Sequence, residues 1–168
     1  MDRAFHEHFM RAAIGEALAA RDAGEVPAGC VIVRQPADGA ECVPADGLIL
    51  AKAHNSTESS ANPTAHAEIL AIAGAAAKIG DFRLTGTVLY VTKEPCAMCA
   101  GAIVLARIPV VVWGMSDPRR GGESKFGILS SEDLIHRAET VPGILEEETR
   151  KIVQDFFRAR RREGPYRP

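Results

Sequence analysis

Hydrophobic positions recur every four residues near the start of the chain, at Phe5, Phe9, Ala13 and Ala17, and Gly24 follows as a helix stop. This spacing predicts an amphipathic helix over about 2–23. Apolar runs at 30–34 and 48–53 come next, separated by Pro, Gly and Asp residues between 36 and 47, and read as two strands with a long connection. Asn62-Pro63 supplies a helix cap and a proline suited to the first helical position, with helical periodicity over 65–79 that stops at Gly80. Residues 88–92 read as a strand and Pro95 opens a helix running to about Ala106. The β-branched run 110–115 suits a strand buried on both faces. A short helix is expected over 132–137 and a fifth strand over about 137–141. Leu145, Thr149, Ile152, Val153, Phe156 and Phe157 mark the apolar stripe of a final helix.

Helices interleaved with strands in this order predict an α/β fold, a three-layer α/β/α sandwich around a central mixed sheet of about five strands. A chain of 168 residues, 46% hydrophobic and only 5% aromatic, suits one domain over 1–168 with an aliphatic core. Charged residues interrupt the first twenty positions, which excludes an apolar signal or membrane segment there. Of four cysteines, two lie three residues apart beside a proline, the spacing of metal ligands rather than of a disulfide framework. A reducing, cytoplasmic setting follows as the expectation. The formal charge of −2 hides an asymmetry: residues 156–168 hold five arginines and one glutamate, net +4, leaving −6 elsewhere.

The candidate chemistry sits at two predicted helix starts. In Pro95-Cys96-Ala97-Met98-Cys99, a separation of three residues puts both thiols on one helix face, so the pair can chelate one metal. His66-Ala67-Glu68 follows Asn62-Pro63; two residues separated by one diverge by about 200° in mid-helix, an objection that weakens at a helix tip. Helix N-termini aimed at one site favour thiolates there. Two thiolates and an imidazole suit zinc, one ion per chain, and three protein ligands leave a fourth tetrahedral position for water, the mark of a catalytic site. Glu68 would be a redundant ligand, so its better use is proton transfer. A closed structural site would instead need Cys30, Cys42 or His54 as its fourth ligand.

The stretch 63–69, followed by Leu89-Tyr90-Val91-Thr92 and 94–102, resembles the cytidine deaminase superfamily. More closely it is similar to the bacterial tRNA-specific adenosine deaminases, which convert the anticodon wobble adenosine to inosine. Glu25-Val26-Pro27 and Asp155-Phe156-Phe157-Arg158 extend the likeness over most of the chain. The resemblance implies a zinc-dependent hydrolytic deaminase with a cytidine deaminase-like fold. It makes His66, Cys96 and Cys99 the zinc ligands, Glu68 the proton shuttle, and Asn55, Ala67, Glu94 and Asp117 substrate contacts, through backbone groups at Ala67 and Glu94. It also implies a homodimer.

Certain positions depart from that family's pattern: Asn62 stands where aspartate is usual, 35–48 is longer than the usual hairpin, and a proline follows Asp117. With tRNA as substrate, the arginines at 158, 160, 161 and 162, with Arg119, Arg120 and Lys125, would hold phosphates beside a flipped-out adenine. Glu146, Glu147 and Glu148 begin the last helix and the arginines end it, an arrangement a helix dipole favours without any partner. A free-base deaminase of cytosine or guanine, with 164–168 as a lid, is the alternative within the enzyme class. A zinc-binding module without catalysis is the alternative outside it.

Overall fold

The computed structural model of the protein describes residues 1–35 and 48–162. Helix α1 (Arg3–Asp22) begins where Asp2 Oδ1 accepts the Phe5 N–H at 2.8 Å, and ends before Gly24 at φ 78°. Strands β1 (Gly29–Arg34) and β2 (Ile49–His54) pair antiparallel. Helix α2 (Ala67–Ile79) is closed by Gly80 in the left-handed region, φ 79°, where glycine avoids the Cβ penalty. Then come β3 (Thr87–Lys93), α3 (Ala97–Leu105), β4 (Val110–Met115), β5 (Glu139–Val141) and α4 (Glu146–Arg162).

The five strands form one mixed sheet in the order β2-β1-β3-β4-β5. β1 runs antiparallel to both of its neighbours, whereas β3, β4 and β5 are parallel. The near-continuous apolar strands are explained by burial on both faces. Cys30, Ile32, Leu89, Val91, Val111 and Trp113 pack with α2 and α3 residues on one side. Their alternates Val31, Val33, Val88, Tyr90, Val110 and Val112 pack with α1 on the other, joined by Ile144 and Ile152. Full burial of such side chains contributes about 1.5–3 kcal/mol each. The predicted α/β/α sandwich is the observed fold.

Two expectations are corrected. Both site helices start later than predicted: α2 at Ala67 with His66 as N-cap, and α3 at Ala97 with Cys96 as N-cap. Asn62 caps no helix. Its Oδ1 accepts from Thr64 N and Thr64 Oγ1, a local turn that competes with helix. The 132–137 segment forms turns instead of a helix. Six residues are too few to nucleate one unaided, and His136 Nε2 bonds the Ile108 carbonyl at 2.9 Å instead. The connection at 36–47, with Cys42, and the proposed lid at 164–168 lie outside the described residues.

Candidate functional site

The parallel strand β3 ends at Lys93, and Glu94-Pro95 carries the chain from the sheet to the tip of α3. At the same end of the sheet, with β1 between them, strand β2 ends at His54 and leads through Asn55 and a turn-rich segment to the tip of α2. The two helix N-termini therefore converge. His66 and Cys96 have extended backbones, φ −76° and −72°, and neither side chain caps its own helix. Both are thereby free to face outward from the helix tips. Glu68 sits in the first turn of α2 and is buried, so the helix-tip placement resolves the objection to two residues separated by one.

His66 Nδ1 lies 3.7 Å from Cys96 Sγ and 3.5 Å from Cys99 Sγ, and the sulfurs are 3.6 Å apart. A tetrahedral ion with zinc–sulfur contacts of about 2.3 Å and a zinc–nitrogen contact of about 2.05 Å needs its sulfurs about 3.8 Å apart and each about 3.6 Å from the nitrogen. The donor set fits zinc to within about 0.2 Å. Among the described residues these three are the group able to hold a metal, with no fourth protein donor. Cys30 is buried in β1 outside the group, and His54 Nδ1 lies 3.0 Å from Glu16 Oε2.

The electrostatics follow from this crowding. The neighbouring Cys99 thiol, with help from His66, holds Cys96 down to about 3. Cys99 is pushed up, first by that contact and then by burial. Contact with Cys96 raises His66, while burial raises Glu68 above the usual carboxylate range. A carboxyl that holds its proton more readily than usual suits a group that must both take and return one.

A cavity of about 460 Å³ opens on the group, lined by Asn55, His66, Glu68, Cys96, Glu94 and Asp117 among others. Its size is that of a small-molecule site. Asn55 Oδ1 accepts the Ala67 N–H at 2.9 Å, so that amide is engaged and the Asn55 amide NH2 is what remains for a ligand. The Glu94 carboxylate accepts from Asp117 N, Ser124 N and Ser124 Oγ. Asp117 in turn accepts from Lys93 and from the Arg119 and Arg120 amides. Gly121 is required beside this knot, because a Cβ there would lie 2.2 Å from Glu94 Oε1.

The basic residues separate. Arg119 and Arg120 line the cavity, and Lys125 is not among its lining residues. Arg158 pairs with Asp155, and Arg160 donates to the Gly24 carbonyl and lies 5.4 Å over the Phe156 ring. Arg161 borders a smaller recess with Phe157 and Arg158. Two cavity residues and the role of a third residue escape a reading of the sequence. Thr57 and Lys93 line the cavity without belonging to any spacing motif. Buried Glu25 accepts from Thr57 Oγ1, Glu58 N, Ser59 N and Ser59 Oγ, fixing the cavity wall from outside.

Comparison with known proteins agrees with this geometry. A family model described as MafB19-like deaminase matches residues 4–161. The tRNA-specific adenosine deaminase of Bacillus subtilis (strain 168) is 43% identical over 157 residues, covering 93% of this chain and 91% of the relative. A solved structure from work on A-to-I editing by tRNA:A34 deaminases at the wobble position of transfer RNA is similar with a TM-score of 0.76 and 39% identity, covering 86% of this chain and 98% of the other. The guanine deaminase of Nitrosomonas europaea, at 19% identity and a TM-score of 0.73 over 89% of this chain and 83% of its own, shares the fold alone.

Proposed function

This chain belongs to the MafB19-like deaminase family, and on that premise we propose that it converts adenosine to inosine at the wobble position of a tRNA anticodon. It is a deaminase, a hydrolase that exchanges an exocyclic amine for oxygen from water. The observation that carries the reading is the placement of Glu68 on the same cavity as a His66–Cys96–Cys99 group of zinc dimensions. The tRNA substrate is supported by relatives of that name at 43% identity, and by exposed Arg119 and Arg120 at the cavity rim.

In this reading His66, Cys96 and Cys99 hold one zinc ion per chain. When bound, the ion supplies a Lewis acid that makes water nucleophilic at neutral pH. Asn55 holds the base edge with its amide, while the backbone at Ala67 and Glu94 shapes the pocket around the reacting carbon. Glu68 takes a proton from the attacking water and delivers it to the ring nitrogen next to carbon 6, and then assists departure of the amine as ammonia. Adenosine and water thus yield inosine and ammonia, with no redox partner. Asp117 keeps the 117–121 turn in place beside the base.

The proposal includes one deaminase domain over 1–168, a cytoplasmic location with its substrate, and a homodimer. No helix among the described residues is long and apolar enough to cross a membrane. The dimer is supported by α3, which is apolar in composition yet leaves Met98 and Leu105 exposed. A short helix apolar all round calls for cover on its outer face.

Ammonia release by zinc-loaded protein tests the reading, with an anticodon stem-loop RNA carrying the wobble adenosine, free cytosine and free guanine in parallel. Release with the RNA and not with the bases is the expected outcome, whereas release with a free base alone would overturn it. Glu68→Ala is expected to keep its zinc and lose turnover by a factor of 100 or more, in the range of lost general acid–base catalysis, about 10²–10⁴. Cys96→Ala is expected to lose the metal.

A further inference from the structure

Lys93, the last residue of β3, is the one lysine among the cavity-lining residues described. Its ammonium lies 2.5 Å from Asp117 Oδ2, and its side chain is 28% exposed. That ion pair leaves the partners in unequal states. Asp117 has both oxygens engaged, Oδ2 by Lys93 and Oδ1 by the amides of Arg119 and Arg120. An ammonium has three donors, and one is used here. Lys93 is therefore the member with donor capacity left for a ligand.

The surroundings say what kind of ligand. Arg119 and Arg120 border the same cavity and their guanidinium groups have no side-chain partner among the described residues, whereas seven other arginines are paired with carboxylates. Three cations against Asp117 leave this side of the opening positive. Deeper in, Glu94 directs its oxygens to Ser124 and the Asp117 amide and makes no hydrogen bond to these cations, and with its charge counted three cations still face two carboxylates. A neutral base supplies no counter-charge. A phosphodiester next to the base supplies both charge and acceptor oxygens, and ammonium–phosphate hydrogen bonds are of the strong, charge-assisted kind.

We infer that Lys93, with Arg119 and Arg120, forms a phosphate subsite that takes a phosphodiester flanking the nucleotide whose base enters the cavity. The subsite rests on the proposed RNA substrate and adds the group that would select a nucleotide within a chain over a free base. Lys93 binds substrate here and takes no part in proton transfer. The salt dependence of binding separates this role from one confined to holding Asp117, because neutralising a phosphate releases counterions and holding a turn does not.

The test uses the zinc-loaded full chain with the stem-loop RNA across a salt series, reading KM, kcat and the slope of log(kcat/KM) against log salt. Lys93→Met is expected to raise KM at least tenfold with kcat within about threefold, and to make the slope shallower by about 0.7, the single-strand value for one phosphate. Lys93→Arg should restore both. Arg119→Gln with Arg120→Gln, two exposed side chains whose loss should leave the melting temperature unchanged, should also flatten the slope, which keeps the test decisive if Lys93→Met folds poorly. A slope unchanged in both variants, or a Lys93→Met loss confined to kcat, would reduce Lys93 to a prop for Asp117 and overturn the subsite. Wild-type protein inactive on the RNA but active on a free base would instead overturn the substrate reading itself, so the two failures are distinguishable.

Discussion

Asn55 is mostly buried, and its Oδ1 accepts the Ala67 N–H at the tip of α2. The side chain proposed to hold the base therefore also satisfies a helix amide, in a helix whose own N-cap, His66, makes no capping bond. A ligand histidine must keep its ring for the metal, so the cap comes from elsewhere in the chain. Asn55→Ala leaves a buried N–H without a partner, which costs about 1–3 kcal/mol. A lower urea midpoint together with a drop in kcat/KM of at least tenfold is the expected result. An unchanged midpoint would show that water replaces the amide and that Asn55 has no structural duty.

Among the elements, the segment between β2 and α2 brings Asn55, Thr57 and His66 to the cavity, and Glu25 in the α1–β1 connection sets its position. Glu25 lies 1% exposed, and four donors from 57–59 converge on its two oxygens. Burial alone would raise its pKa, but the hydrogen bonds from Ser59, Glu58 and Thr57 outweigh it and hold the carboxyl below 4.5. A pKa depressed in the folded state stabilises the fold fully above the unfolded value and is lost as pH falls through the folded one. Glu25→Gln turns an amide NH2 toward the Glu58 N–H and is expected to lower stability by about 1–3 kcal/mol at pH 7. That difference should shrink as pH falls below about 4.5, and urea titrations of both proteins at pH 7 and at acid pH measure it. A gap that widens with acid would contradict the assignment. KM for the RNA should rise with the same substitution, because Thr57 lines the cavity.

Across the whole molecule, α1 covers one face of the sheet and α2 with α3 covers the other, but the outer surface of α3 remains uncovered. Leu105 is 64% exposed and Met98 37%. A second copy of the chain would bury this patch, and sedimentation velocity reads the outcome directly. The wild type is expected to run as a dimer. Leu105→Asp, which puts a charge on the patch without touching the core, should shift it to monomer by a factor of ten or more in the dissociation constant. A monomeric wild type would remove the dimer from the proposal and leave the α3 face to another partner.

The layered architecture and the ligand types could be read in advance because both depend on short-range pattern. Alternate strand residues face opposite sides, so unbroken apolar runs such as 110–115 announce burial on both. Cys96 and Cys99, three residues apart at one helix start, bring their thiols together through local geometry alone. The late start of α2 was not legible, because the Asn62 turn competes with a helix signal of the same composition. Nor were the contacts that finish the site. Asn55 to Ala67 spans 12 residues, Lys93 to Asp117 spans 24 and Glu25 to Ser59 spans 34. Local propensity records where a carboxylate or amide stands in the chain, but not which distant donor the packed sheet will bring to it. The amino-acid sequence by itself determined the layers, the three donor atoms and the carboxylate beside them. Only the tertiary structure decided that two helix tips close those donors to zinc dimensions, and which charged groups at the cavity are left with capacity for a substrate.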